Sequence, residues 1–246
     1  MNISLHNKTA LVTGAASGIG RAVAIMLAQS GASVIVNHLN RASEADEVVH
    51  AITAQGGKAQ AIEADVTNAA QVRKMVKSCG RIDILVNNAG VIKETAFLKI
   101  AEAEWDHVLN SDLKSVFLCS QAVLSGMVLQ GEGAIVNISS DLAYLGRADF
   151  ASYCAAKAGV IGLTRSLARE FAPAIRINAV APGPVETAML STASMSAEWI
   201  EKEKDIPCRR FAEPEEIAAS VLFLVSDHAR FYCGQVLGPN GGSVMP

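Results

Sequence analysis

The sequence predicts an α/β fold with one parallel sheet covered by helices on both faces. Short apolar runs alternate with longer amphipathic stretches along the chain. A Gly-rich turn directly follows the first apolar run. Half of the 246 residues are hydrophobic and 18% are charged, as a compact enzyme-like core requires. Parallel strands buried on both faces read as near-continuous apolar runs. The length suits a single α/β domain spanning residues 1–246.

Thr9–Val12 reads as the first strand, followed by a helix around Ile19–Ser30. Ser33–Asn37 is the second strand, and Ser43–Gln55 a helix stopped by Gly56-Gly57. Lys58–Ala64 is strand-like, Asn68–Ser78 helical, and Ile82–Val86 a buried strand. Trp105–Leu129 reads as one long helix and Ala134–Ile138 as a strand. Helix Ser152–Phe171 and strand Ile175–Val180 come next, then helix Pro214–Ser226 and a short strand Gln235–Leu237. Residues 186–210 are irregular and too long for a plain loop, which suggests a substrate lid with short helices.

The net charge of −3, without a basic run, argues against nucleic acid or an anionic membrane as partner. The N-terminal residues lack the apolar core of a signal peptide, and no stretch reads as long and apolar enough to span a bilayer. Five scattered cysteines form no CxxC pair, so reduced thiols and a cytoplasmic location are expected. The five histidines include no HExxH, and no metal site is expected.

In a parallel sheet the chemistry gathers at the carboxyl ends of the strands. The first such turn runs Thr13-Gly14-Ala15-Ala16-Ser17-Gly18-Ile19-Gly20. Its glycines permit a close backbone approach, and the following helix aims free N–H groups and a positive dipole end at an anion such as a pyrophosphate. The spacing is GxxxGxG rather than GxGxxG, so a strand-to-helix turn without a ligand is the alternative. After the second strand, Val36-Asn37-His38-Leu39-Asn40-Arg41 offers no carboxylate to bind a ribose 2′-hydroxyl. His38 and Arg41 would instead suit a 2′-phosphate, which favours NADP(H) and still admits NAD(H). For Arg41 the alternative is a solvated loop charge. Asp65, with Val66 beside it, could accept from an adenine amino group or serve the start of the next helix. Asn88, Ala89 and Gly90 follow the fourth strand and can line a ribose.

Ser140 ends a strand, Tyr153 stands thirteen residues later, and Lys157 four residues after that. On a helix, positions 153 and 157 share one face, placing an ammonium beside a phenol. The cation favours phenolate and should lower the tyrosine pKa toward working pH. Tyr153 could then exchange a proton with a carbonyl or alcohol oxygen that Ser140 orients. YxxxK by itself could be a surface helix pair. Joined to Ser140 and the Gly-rich turn, it points to hydride transfer at a carbonyl or alcohol carbon.

The segments Thr13–Gly20, Asn87–Gly90, Ser140, Tyr153–Lys157 and Pro182-Gly183-Pro184-Val185-Glu186-Thr187 resemble the short-chain dehydrogenase/reductase family over nearly the whole chain. The look-alikes nearest in pattern are the 3-oxoacyl-[acyl-carrier-protein] reductases of fatty acid biosynthesis. The resemblance implies a Rossmann-type doubly wound sheet of about seven strands with NAD(P)(H) bound across it. It implies that Pro182, Gly183, Val185 and Thr187 lie along the nicotinamide half, that Lys157 also holds the nicotinamide ribose, and that the protein is a homotetramer. A dehydrogenase of small or cyclic alcohols, sugars or steroids fits the same segments. So, from another class, does a cofactor-binding protein without catalysis.

Two departures stand out. The family places an asparagine seven positions after a tryptophan such as Trp105, where it holds a water in a proton relay; here that position is Asp112. Asp112 is read as the fourth catalytic residue, with a helix irregularity as the alternative. Docking an acyl carrier protein calls for basic residues at the cleft mouth. Residues 128–133 and 172–174 have none, leaving Arg147, Arg169, Arg176, Arg209 and Arg210 as candidates. Tyr144, Leu145, Phe150, Met189, Leu190 and Trp199 could line an apolar substrate pocket or pack the lid against the body.

Overall fold

The structure is a computed structural model that describes residues 3–193 and 195–246. Seven parallel strands form its sheet: β1 (Thr9–Val12), β2 (Ser33–His38), β3 (Lys58–Glu63), β4 (Ile84–Asn87), β5 (Gly133–Ile138), β6 (Ile175–Val180) and β7 (Val236–Leu237). Their order is β3-β2-β1-β4-β5-β6-β7. The expected doubly wound Rossmann-type sheet is therefore present. The chain winds outward from β1 in one direction through β2 and β3, then restarts on the other side of β1 with β4. This reversal opens a crevice beyond the carboxyl ends of β1 and β4, where such sheets bind ligands. Val12 pairs with Val36 on one side and Val86 on the other, so the turns after these three strands emerge at one level.

The apolar runs form strands because both faces are covered. One layer holds α1 (Gly18–Gln29), α2 (Ala42–Thr53) and α9 (Pro214–Val225), whose Val23, Leu27, Val48, Ile217 and Val221 pack on the sheet. The opposite layer holds α3 (Ala69–Cys79), α5 (Ser115–Gln130) and α7 (Ala151–Phe171), which contribute Val72, Met75, Cys119, Met127 and Ala168. Local signals set the helix ends. The Asn68 carboxamide accepts from the backbone N–H groups of Ala70 and Gln71 at the start of α3. Pro214 opens α9 behind a reciprocal Glu213–Glu216 capping box.

The predicted long helix is continuous but irregular. It comprises α4 (Glu102–Leu109), a π-helical turn at Asn110–Lys114, and α5. The extra residue in that turn rotates Asp112 into the protein, where it is fully buried. The combined helix Glu102–Gln130 also corrects the expectation that no stretch has the length and apolarity to cross a bilayer. Its apolar content has a different origin: one side packs on the sheet, while Phe117, Val128 and Leu129 remain exposed on the other.

One short helix was not foreseen, α6 (Leu142–Leu145); another, α8 (Ala197–Glu203), lies where short helices were expected. The expected lid, residues 186–210, contains α8 and a Thr187–Leu190 bridge. Its residue 194 lies outside the described residues.

Candidate active site

The turn after β1 is built for close approach. Gly14 and Gly18 have φ of 62° and 54°, which only glycine adopts without strain. A Cβ on Gly14 would lie 2.9 Å from Ala89 Cα, and one on Gly18 would lie 3.2 Å from Thr187 Cγ2. The glycines thus hold open a narrow cradle between three loops. Gly20 is equally confined, because a Cβ there would meet the Asn88 amide at 2.5 Å. Ile19 lies on α1 and packs against the core, while Ser17 precedes that helix without a capping hydrogen bond from its side chain.

Thr13 and Asn88 stitch the cradle together. Thr13 Oγ1 accepts from the N–H groups of Asn88 and Ala89 at 2.9 and 3.0 Å. The Asn88 carboxamide donates to the carbonyls of Thr13 and Gly14. Asn37, whose role the sequence did not reveal, braces the turn: its Oδ1 accepts from Gly14 N–H, and its Nδ2 donates to the carbonyls of Ile62 and Ala64.

Arg41 reaches back to this turn. Its Nη1 donates to Ser17 Oγ at 2.8 Å, and its Nε lies 3.5 Å from Glu44 Oε1. His38 is 5% exposed, and its Nδ1 has no hydrogen-bond partner. A buried nitrogen without a partner at the end of β2 and a guanidinium in the loop that follows it would suit a phosphorylated ribose. Asp65 is half-buried, and its Oδ1 accepts from both the N–H and the hydroxyl of Thr67. That oxygen therefore shapes the turn before α3, next to the buried Val66. The cradle, the start of α1 and the His38–Arg41 corner together match the outline of a dinucleotide.

At the other end of the crevice, Lys157 on α7 is buried, and its ammonium donates to Ile138 O at 3.1 Å. It also lies 3.2 Å from Asp112 Oδ2, in an ion pair whose approach is off the line of a good hydrogen bond. Asp112 Oδ1 accepts from Val91 N–H at 2.8 Å. Gly90 leaves room for this carboxylate, since a Cβ there would come within 2.9 Å of Oδ2. Tyr153 is half-buried, with Lys157 Nζ 5.5 Å from its ring centre and Ser140 beside its hydroxyl.

The electrostatics correct one expectation. Burial pushes the Tyr153 phenol above its ordinary value; Lys157 pulls it down, and Asp112 pushes it up again. The lysine's effect is present but does not prevail, because burial outweighs it and Asp112 opposes it. Burial works against the charge on Lys157 as well, yet Asp112 and Tyr153 hold its pKa above the ordinary value. The site thus pairs a neutral phenol with a charged ammonium.

The segment after β6 closes the crevice. Pro182 O accepts from Asp141 N–H, and Gly183 packs against the Asn240 main chain. Val185 is buried and bridges to Ala212, while Thr187 touches the phosphate turn at Gly18. Loops after five strands therefore converge on one crevice, together with Ser140, Tyr153, Lys157 and Asp112.

Several rim arginines are engaged elsewhere. Arg147 pairs with the buried Glu203 of α8, and its guanidinium lies over the rings of Phe150 and Trp199. Arg210 pairs with Glu216, and Arg176 donates to the carbonyls of Leu224, Ser226 and Ala229. Phe150 and Trp199 thus help join α8 to the body, whereas Leu145 and Met189 stay exposed.

A family model described as enoyl-(acyl carrier protein) reductase matches residues 14–243. The chain is 43% identical to a 3-oxoacyl-[acyl-carrier-protein] reductase of Staphylococcus epidermidis over 246 residues, covering 97% of this chain and all of that protein. A 3-oxoacyl-[acyl-carrier-protein] reductase of Synechocystis is also 43% identical, over 98% of this chain and 99% of its own length. Among solved structures, a proposed NAD(P) dependent gluconate 5-dehydrogenase from Beutenbergia cavernae, with bound NADP, superposes with a TM-score of 0.93 at 36% identity. That alignment covers 98% of each chain.

Proposed function

The chain belongs to the short-chain dehydrogenase/reductase family, and on that premise we propose that it reduces a 3-oxoacyl thioester or a related ketone to the alcohol, with Tyr153 as proton donor. It is an oxidoreductase that uses a nicotinamide dinucleotide on CH–OH or ketone groups. The observation that carries the proposal is that Ser140 and Lys157 both lie beside Tyr153, with Lys157 paired to Asp112 against Gly90.

When bound, the dinucleotide would supply the hydride. Gly14, Ser17, Gly18, Ile19 and Gly20 would hold its pyrophosphate, while Asp65, Val66, Asn88, Ala89 and Gly90 would line the adenosine half. Pro182, Gly183, Val185 and Thr187 would line the nicotinamide half. His38 and Arg41 favour NADP(H) over NAD(H), because an imidazole whose Nδ1 lacks a hydrogen-bond partner and a guanidinium can both serve a 2′-phosphate. Ser140 orients the ketone oxygen, and the neutral phenol of Tyr153 gives it a proton. Lys157 holds the nicotinamide ribose and stabilises the tyrosinate as it forms. Asp112 keeps Lys157 charged and stands where relatives in pattern carry an asparagine. Residues 186–210 form the substrate lid of a single catalytic domain, and the protein works as a homotetramer.

One observation favours a second substrate reading. Arg147 and Arg176 are held by internal partners and Arg210 by Glu216 at the surface, which leaves Arg169 and Arg209 of the five candidates to dock an acidic carrier protein. A free acyl thioester, a cyclic ketone or a sugar ketone needs no such docking. NADPH oxidation tests both readings with acetoacetyl thioesters, free and carrier-bound, against sugar and steroid ketones. Turnover of the carrier-bound thioester supports the first reading, and turnover of free thioesters or of sugar or steroid ketones without the carrier-bound one supports the second. Cofactor binding without turnover on any of them overturns both.

A further inference from the structure

Asp141 directly follows Ser140, is 7% exposed, and has its carboxylate between two hydroxyl groups. Its Oδ1 accepts from Ser140 Oγ at 3.1 Å, and its Oδ2 from Ser243 Oγ at 2.6 Å. The backbone fixes it as well, because its N–H donates to Pro182 O, and its carbonyl accepts from the N–H groups of Tyr144 and Leu145 in α6. Ser243 is held in turn by the C-terminal bend: its N–H donates to Asn240 O, and Gly242 N–H donates to Asn240 Oδ1.

Ser140 has one hydroxyl hydrogen, and its oxygen already accepts from Leu142 N–H at 3.2 Å. An ionised carboxylate only accepts, so the hydrogen points at Asp141. A ketone oxygen also only accepts, so Ser140 cannot serve both at once. A protonated Asp141 reverses this: it donates to Ser140 Oγ, and Ser140 offers its own hydrogen to the substrate.

Resting on the ketone-reduction reading, we propose that Asp141 is a positioning residue whose protonation turns the Ser140 hydroxyl toward the substrate oxygen. The surroundings favour a carboxyl that keeps its proton longer than usual. Burial raises its pKa, opposed by hydrogen bonds from Ser243, Ser140 and Leu142 N–H and by the charge of Arg147. The charged and titratable groups facing it are Arg147 from the loop after α6, and Tyr153 and Cys154 on α7, with Lys157 and Asp112 beyond Tyr153. The C-terminal bend brings the Ser243 hydroxyl.

The sign follows directly. Ketone reduction falls as pH rises through the Asp141 pKa, well before the later fall at Tyr153. The test is kcat against pH for reduction of whichever ketone the substrate panel identifies, at saturating cofactor, with melting temperature recorded alongside. Asp141→Asn offers a permanent donor to Ser140, so it is expected to lose the lower fall. Ser243→Ala removes a hydrogen bond that favours the carboxylate and is expected to move that fall upward by about one pH unit. Ser140→Ala, with wild-type turnover beside it, separates this proposal from the reading it rests on. Loss of turnover there, with an unchanged lower fall in both Asp141→Asn and Ser243→Ala, overturns the role of Asp141 alone. Full turnover in Ser140→Ala removes Ser140 from the reaction and overturns the proposal, whereas cofactor binding without turnover of any ketone by the wild type overturns the reading it rests on. If Asp141→Asn does not fold, Ser243→Ala decides, and an unmoved lower fall counts against the proposal.

Discussion

The ammonium of Lys157 lies 3.2 Å from Asp112 Oδ2, with both side chains buried. This contact bypasses the water-mediated link expected from the family's asparagine. It also adds to the burial that keeps the phenol of Tyr153 protonated, because the lysine charge that would stabilise tyrosinate is partly balanced before the reaction begins.

Asp112→Asn is expected to fold and to retain turnover within about tenfold, because the carboxamide oxygen can still accept from Val91 N–H. Asp112 raises the Tyr153 pKa, so removing its charge lowers it. Reduction needs the protonated phenol; its alkaline fall should therefore move to lower pH in the variant. A pH–rate profile checks this, and an unmoved alkaline fall rejects the electrostatic role. Asp112→Ala leaves a buried lysine unpaired and should cost about 3–5 kcal/mol of stability.

Arg41→Ala tests the cofactor corner. A charge-assisted hydrogen bond to a phosphate contributes about 1.5–3 kcal/mol, so the KM for NADPH should rise roughly 10- to 100-fold. The KM for NADH should change little, since Arg41 otherwise meets Ser17 and Glu44. Equal effects on the two cofactors would assign Arg41 to loop structure instead.

Gly14→Ala places a methyl group 2.9 Å from Ala89 Cα at a φ of 62°. The conformational cost alone is about 1–2 kcal/mol. Thermal unfolding should begin several degrees lower, and calorimetric titration should show weakened dinucleotide binding. Wild-type affinity in this variant would mean that the cradle is not the cofactor site.

Leu129 is 89% exposed, and Val128 and Phe117 are 52% and 45% exposed on the outer side of α5. A homotetramer that pairs this helix across a two-fold axis would cover them. Light scattering should give about four chain masses, and Leu129→Glu should lower that number. A monomeric wild-type mass contradicts the assembly.

The sheet and most helices were legible because burial on two faces leaves a strong pattern. Thr9–Val12 and Ile175–Val180 matched to the residue, and other ends moved by only a few positions. The π turn was not legible, since one extra residue inside an apolar helix hardly disturbs its pattern, although Asp112 at an amide position hinted at it. Helix α6 is too short to show a period. In the site, spacing linked Tyr153 to Lys157 because both lie on one helix. Asp141 and Ser243 gave no such signal, as they are 102 residues apart and meet only through the fold. The direction of the Tyr153 shift was misread because sequence spacing shows a neighbouring charge but not the burial that outweighs it.

The most direct test compares wild type with Tyr153→Phe in NADPH-dependent reduction of acetoacetyl thioester, with cofactor affinity measured on both proteins. The phenylalanine keeps the ring beside Lys157 and removes the proton. Turnover should fall by about 10²- to 10⁴-fold while NADPH binds as in wild type. A variant that binds NADPH and still reduces the thioester at the wild-type rate would contradict the assignment of Tyr153 as the proton donor.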